Sequence, residues 1–579
     1  MARRIDRRTF LGQSAKTAAG LAVVGSAGSL LAACGSSGGK SSNSGHGNSG
    51  ATGSVKRGNY VGTGTPKPGG TLIFGVEADE AGFDPTNAHF DSVGVCYART
   101  VYDPLAIPLA DGTVAPYLAQ SITNNHDYTE WTVTLRPNLF FHDGTPCNAD
   151  ALAFCFNACK ASTLVNFTLG YMKEAQVVNG SQTAVKVIMH QPWVTFPAWL
   201  CGYIGGQIAY PFSPTQWKKA GSAPGETLLN SHPVGTGPFV FQTWVPNDHF
   251  TATKNPNYWR KDKHGNALPY LDTITYKPLP VVSERWTGLQ TGTLDLIHTD
   301  DSRTILDIQG DHNLGFFSDV DSPVEHDMNF GMINTSQAPL NDIRIRQALA
   351  YSFNSTEYLS TVGLGVNKPS TGPFSPGSKY YAPTGFPTYD AAKATQLVNS
   401  YKADHNNAPV VIEYGTVNTP TSLSSASLIK SFSEAVGIQM NVTQVEQSAL
   451  ITNAILGAFH VYAWRQFANI DPDLNYPFWA AAPPAGGISV NFTRLQDPTV
   501  QQMIDKGRRT SDEASRIDAY QTVAKQFGIA VPYVWAAEDV WALGAGATVE
   551  NWNNPTTPEG QAALQMISGI IWPTEIWKS

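Results

Sequence analysis

Tyr462, Trp464, Phe467 and Trp479 crowd around Arg465 and Asp471 in VYAWRQFANIDPDLNYPFW, residues 461–479. Aromatic faces with a few fixed charges among them suit a small-molecule pocket, where rings supply contact area and charges set orientation. The same rings also suit an apolar core, and Trp479 fits that role at least as well. An earlier acidic loop, EADEAGF at 77–83, follows a short apolar run and offers Glu77, Asp79 and Phe83 either to a ligand or to solvent. Covalent catalysis lacks comparable support. The chain has no His-Glu-x-x-His pair, no Gly-x-Ser-x-Gly elbow between a strand and a helix, and no Gly-x-Gly-x-x-Gly turn behind a strand. Gly39-Lys40-Ser41 lacks the glycine that a phosphate loop needs five positions before Gly39, where Cys34 stands. No catalytic residue is assigned.

Cys96, Cys147, Cys155, Cys159 and Cys201 lack the paired Cys-x-x-Cys spacing of zinc sites, and neither metal nor cofactor is expected. Cys155 and Cys159 stand four apart in a helical pattern, where bridging each other is awkward. The expectation is buried thiols with one disulfide among the five. Acidic side chains number 46 against 38 basic ones, for a net charge of −8. Before residue 34 the balance reverses, with Arg3, Arg4, Arg7, Arg8 and Lys16 against Asp6 alone. An acidic body argues against nucleic acid as a partner.

Such residues need a scaffold, and 579 residues exceed one ordinary core. Apolar β-branched runs predict strands at TLIFGVEA from residue 71, WTVTLRP (131–137), AVKVIMH (184–190), TITYKPL (273–279) and PVVIEYG (409–415). Between them, DIRIRQALAYSF and DPTVQQMIDKGRRTSDEASRIDAYQTVAKQF carry helical periodicity, so mixed α/β lobes follow. In His142-Asp143-Gly144-Thr145-Pro146 the glycine permits a tight turn and Asp143 can accept backbone hydrogen bonds across it. Asp342 stands where a carboxylate caps a helix, with Arg344 and Arg346 expected on that helix's surface.

The N-terminus has its own grammar. Basic residues precede TAAGLAVVGSAGSLLAA, an apolar run diluted by glycine, and Cys34 follows. This is the three-part pattern of an export signal, and the run falls short of the roughly 20 strongly apolar residues needed to span a membrane. Arg7-Arg8-Thr9-Phe10-Leu11 resembles a twin-arginine signal, and Leu31-Ala32-Ala33-Cys34 resembles a bacterial lipobox, whose cysteine receives a lipid. Residues 1–33 read as a twin-arginine lipoprotein signal peptide and 34–68, rich in Gly and Ser, as a flexible tether with a reach of roughly 30 Å. Cys34 thereby leaves the disulfide arithmetic and becomes the expected membrane anchor.

From Gly69 onward, several segments taken in order carry a family resemblance: GGTLIFGVEADEAGFDP, VYDPLAIPLADGTVAPYLAQS, EWTVTLRPNLFFHDGTPCNADALAF, HPVGTGPFVF, KNPNYWR, GTLDLI and PLNDIRIRQALAYSFN. Together they are similar to the large extracytoplasmic solute-binding proteins of ABC importers, family 5, the oligopeptide, dipeptide and nickel type. The resemblance implies an α/β, two-lobed periplasmic-binding-protein-like fold of type II with an extra subdomain in the first lobe. Lobe I would comprise 69–322 plus 534–579, with the inserted subdomain at about 113–232, and lobe II 323–533. It further implies a non-enzymatic, monomeric receptor that encloses a peptide or peptide-like solute between its lobes and hands it to a membrane permease.

Glu77, Asp79, Phe83, Tyr462, Trp464, Arg465, Phe467 and Asp471 are the ligand-contact candidates under this resemblance. Family members that bind peptides place an aspartate three residues before the Asp-Pro step to hold the α-ammonium. Aligned on Asp471-Pro472, that position is Ala468. Either Asp471 takes over the role or the solute lacks a free amine, which leaves a blocked peptide or an oligosaccharide open. An exported hydrolase and an anchored adhesion or scaffold module are the remaining alternatives.

Overall fold

The computed structural model describes residues 64–88, 90–223, 225–481 and 489–579. The chain divides into units 1–50 and 51–579, and everything described belongs to the second. Arg7, Arg8, Phe10, Leu11, Cys34, the signal peptide and nearly all of the tether lie outside the described residues.

Among the described residues, three sheets have four or more strands. The first has seven strands in the order Gly315–Ser318, Ala542–Ala545, Leu296–Thr299, Thr71–Val76, Thr273–Pro278, His249–Lys254, Phe239–Val245. Thr71–Val76 runs parallel to both of its neighbours, while the outer pairs are antiparallel. Leu72, Phe74 and Val76 alternate into the core with no exposure, as the period-two side-chain pattern of a strand requires.

The second sheet orders six strands as Lys368–Pro369, Tyr533–Glu538, Met328–Ile333, Val461–Gln466, Val410–Val417, Ile438–Val445. Its last two strands are parallel across eight residue pairs and are joined by helix Pro420–Ala435, a βαβ unit. Period two again divides the residues. Phe330, Met332, Tyr462 and Trp535 pack on one face, and Ile333, Ile412, Ile438 and Val461 on the other. A third sheet, antiparallel, orders Ala119–Asn124, Glu130–Leu135, Ala184–Met189, Met172–Val177, with helix Ala149–Ala161 against it.

The chain passes directly between the first two sheets at 319–327, after strand Gly315–Ser318, and at 539–541, after strand Tyr533–Glu538. The local punctuation behaves as its chemistry dictates. Asp143 Oδ1 accepts from the Thr145 backbone at 3.0 Å around Gly144, whose φ of 80° lies in the left-handed region. Asp342 caps helix Ile343–Ser352 by accepting from the Arg344 backbone at 2.8 Å.

Two expectations are corrected. Arg346 is not on the surface: it is buried, with Nε donating to the Ala530 carbonyl at 2.9 Å and Nη1 to that of Leu340 at 2.8 Å. Residues two apart on a helix point to different sides, so Arg344 remains outside with Asp342 and Asp404 while Arg346 turns inward. Nor is there a disulfide among the five described cysteines, all of which are free and buried. Each packs as a small apolar side chain, and the Cys155 thiol donates to the Phe212 carbonyl at 3.2 Å. Burial pushes the Cys96 and Cys155 thiols up to about 12.

Candidate functional site

Parallel strands Thr71–Val76 and Leu296–Thr299 end side by side, and the residues just beyond their C-terminal ends are Glu77 and Asp300. In open α/β sheets this edge is where ligands gather. Strand Val461–Gln466 of the second sheet brings Arg465 to the same place. Its Nη2 donates to Glu77 Oε1 at 2.7 Å and its Nη1 to Asp300 Oδ2 at 2.8 Å. The guanidinium also lies 4.8 Å from the Trp541 ring centre, a cation–π contact.

Behind this hub, Asp327 holds three donors. Oδ1 accepts from the Ala468 backbone and from Ser568 Oγ at 2.7 Å, and Oδ2 accepts from Trp541 Nε1 at 2.8 Å. Burial raises the Asp327 and Asp300 carboxyls above the usual range against the opposing pull of Arg465. Fully buried His298 accepts the Glu77 N–H on Nε2 at 3.1 Å and meets the Gly569 carbonyl through Nδ1 at 3.1 Å. Nε2 must then be the bare nitrogen and Nδ1 the protonated one. Burial, followed by the charge of Arg285, holds His298 down at about 3.

The other sequence candidates separate. Asp79 is engaged within the first sheet's surroundings, accepting from Asn247 N–H at 2.7 Å and Trp244 Nε1 at 3.1 Å. Phe83 is a core ring, edge-on to Trp244 at 5.0 Å. Tyr462 is buried against Phe459. Trp464, Arg465, Phe467 and Trp479 line one small recess, together with Phe330, Met332, Gln466, Asn475 and Phe492.

Asp471 is not free: both of its oxygens accept from Arg516 Nη2 at 2.7 Å. Asp473 is committed more deeply, accepting from Arg508 Nε at 2.7 Å, Thr195 Oγ1 at 2.6 Å, Trp199 Nε1 at 2.8 Å and Trp193 Nε1 at 3.1 Å. Burial alone would raise Asp473, and Arg508 with these donors outweighs it and holds the carboxyl below its usual range. The residues that sequence reasoning missed are Asp300, Asp327, His298, Gln466, Asn475 and Trp541. Only Asp300 carried a signal, its place just past the strand in GTLDLIHTDD. Among the described residues no group of three or more His, Cys, Asp or Glu is arranged to hold a metal ion, and no helix is long and apolar enough to cross a membrane.

The fold is that of the two-lobed type II periplasmic binding proteins of the peptide-binding class. A structure of the Helicobacter pylori periplasmic binding protein DppA, in complex with the peptide STSA, superposes with a TM-score of 0.74 at 21% identity, covering 86% of this chain and 99% of that one. Residues 113–487 match the bacterial extracellular solute-binding proteins, family 5, and the chain belongs to that family. Among curated relatives, the nickel-binding periplasmic protein of Escherichia coli K12 is 26% identical over 462 residues, 76% of this chain and 84% of that protein. The glutathione-binding protein GsiB of Pectobacterium atrosepticum is 25% identical over 484 residues, 81% of this chain and 88% of that protein. Family 5 proteins are extracytoplasmic solute receptors of ABC importers, not enzymes.

Proposed function

We propose that this chain is a lipid-anchored receptor that captures a peptide or peptide-like solute between its lobes and delivers it to an ABC permease. The observation that carries the reading is Arg465, which reaches from the second sheet to the ligand-gathering edge of the first and pairs there with Glu77 and Asp300. A contact of this kind forms only when the lobes are together, so closure and solute enclosure share one motion. In this reading lobe I is 69–322 plus 534–579, with the inserted subdomain at 113–232, and lobe II is 323–533. The receptor works as a monomer. Its signal peptide is read through Arg7, Arg8, Phe10 and Leu11, and Cys34 carries the lipid at the end of a tether that leaves the lobes free to open.

The test is mass spectrometry of the small molecules that co-purify with the mature chain, followed by calorimetry with the compound identified. Peptides, blocked peptides or other amides support the reading. A sugar would keep the receptor and change its cargo, and nickel in the recovered solute would do the same. A stable complex with a large partner and no bound solute would sink it, as would turnover of a chromogenic hydrolase substrate.

A further inference from the structure

Trp193, Thr195 and Trp199 follow the third sheet's strand Ala184–Met189 and turn their donors to one carboxylate oxygen, Asp473 Oδ2, at 3.1, 2.6 and 2.8 Å. The other oxygen takes Arg508 Nε at 2.7 Å, and neither side chain of this ion pair has any exposure. Rings cover the guanidinium, with Tyr476 at 3.7 Å, Trp193 at 4.5 Å and Tyr171 at 5.0 Å from ring centre to Arg508 Cζ. Main chain meets main chain as well, the Val194 N–H donating to the Arg508 carbonyl at 2.9 Å.

The two sides of this contact belong to different cores. Trp193 and Trp199 pack in one cluster with Val133 of the third sheet and Leu72 and Phe74 of the first. Arg508 lies in the last turn of helix Pro498–Arg509, whose Val500 and Ile504 pack with Phe330 and Trp535 of the second sheet. Each core also sends a side chain to the other: Leu474 joins the first cluster, and Phe167 packs against the second. The passages that join the first and second sheets, 319–327 and 539–541, carry no residue of this contact.

Seated, the ion pair is neutral as a unit and its free oxygen satisfies three buried donors. Parted from the third sheet's side, donors and ion pair both return to water, and the charges stay together. That exchange is far less costly than splitting Asp473 from Arg508, which would strand a buried charge.

Resting on the receptor reading above, we infer that the Asp473–Arg508 pair is a plug that seats among Trp193, Thr195 and Trp199 as the lobes close. Asp473 is thereby a positioning residue that sets how much of the solute-free chain is closed. The plug is separate from the Arg465 hub, whose partners Glu77 and Asp300 lie at the first sheet, so loosening one contact leaves the other in place. The chain runs directly from strand Val461–Gln466 to Asp473, so seating also fixes Phe467 and Asp471.

The experiment is hydrogen exchange at the Val194 amide in the full mature chain, freed of co-purified solute, with solution scattering on the same samples. Thr195→Val and Trp199→Phe each remove one donor to Asp473 and leave the ion pair whole. Each should speed Val194 exchange about tenfold and raise the radius of gyration, while exchange in strands Glu130–Leu135 and Met328–Ile333 is unchanged. Thr195→Ser keeps the hydroxyl and should match the unaltered chain. If Trp199→Phe loses its fold, Thr195→Val and its serine control carry the test. Val194 exchange accelerated only together with both strands, or a Thr195→Val chain that does not fold, would make the contact part of one cooperative core and overturn the inference. Unchanged exchange and radius in both variants would overturn it too. The readouts need no solute: unchanged exchange with a solute co-purifying fails this inference and keeps the receptor reading, whereas faster exchange in a wider chain with nothing co-purifying keeps the plug and fails the receptor.

Discussion

Arg465 donates to Glu77 at 2.7 Å across 388 residues of sequence and from one sheet to the other. With Asp300 on the second terminal nitrogen, one guanidinium binds the ends of two parallel strands of the first sheet. Both partners of the Glu77 pair are mostly buried, so screening by solvent is weak. We expect Arg465→Met and Glu77→Gln, measured singly and together by chemical denaturation, to show a coupling of about 1–3 kcal/mol. The same Arg465→Met chain should give a larger radius of gyration in solution scattering. Additive single effects with an unchanged radius would show that the pair does not hold the lobes together.

Asp471 and Asp473 serve structure, and their variants should reveal it. Asp473→Asn leaves Arg508 buried with no charged partner and should lower stability by about 3–5 kcal/mol. Asp471→Asn weakens the bond to Arg516 and should lower stability by about 1.5–3 kcal/mol while leaving affinity for the identified solute within about twofold. A large loss of affinity with intact stability would return Asp471 to the role of an ammonium holder.

We expect His298 to make the protein acid-sensitive. Its folded value of about 3 lies below the ordinary 6.5, so the unfolded chain takes up a proton that the folded chain refuses. The stability it contributes is complete above about pH 6.5 and is lost as pH falls toward 3, with a slope approaching one proton. Denaturation at pH 7, 6, 5 and 4 should show this decline, and His298→Gln should reduce its slope by up to one proton. A slope that the substitution leaves untouched would mean that His298 titrates normally in the folded chain.

Thiol chemistry checks the cysteine correction. In the absence of reductant, Cys96, Cys147, Cys155, Cys159 and Cys201 should be inert to a thiol reagent in the folded chain, because burial keeps them protonated. After unfolding all five should react. Three reactive thiols in place of five would indicate a disulfide.

Cys34→Ala should release the exported chain from the membrane fraction, or leave its signal uncleaved, while solute affinity measured on the purified body stays unchanged. A variant that is processed and still membrane-bound would remove Cys34 from the anchoring role.

Much of the scaffold was legible along the chain because it depends on neighbours. Alternation in EWTVTL yields a strand with Trp131, Val133 and Leu135 buried, and Asp342 caps the helix whose start it marks. The ordered motifs after Gly69 carried the family. Periodicity, however, says which side chains share a face and not what that face will meet. Phe83 and Asp79 stand in a loop whose sequence offers them to a ligand or to solvent; only the packed sheet shows the first as core and the second as engaged. Arg346 differs from Arg344 by two helix positions, and its burial depends on the Ala530 carbonyl, 184 residues away. The pairing of Arg465 with Glu77 and Asp300, the capture of Asp471 by Arg516, and the donors that Trp193, Thr195 and Trp199 turn to Asp473 have no local signature. They arise from where distant strand ends and helix faces meet, which is decided when the sheets assemble and each buried polar group must find a partner or go without one.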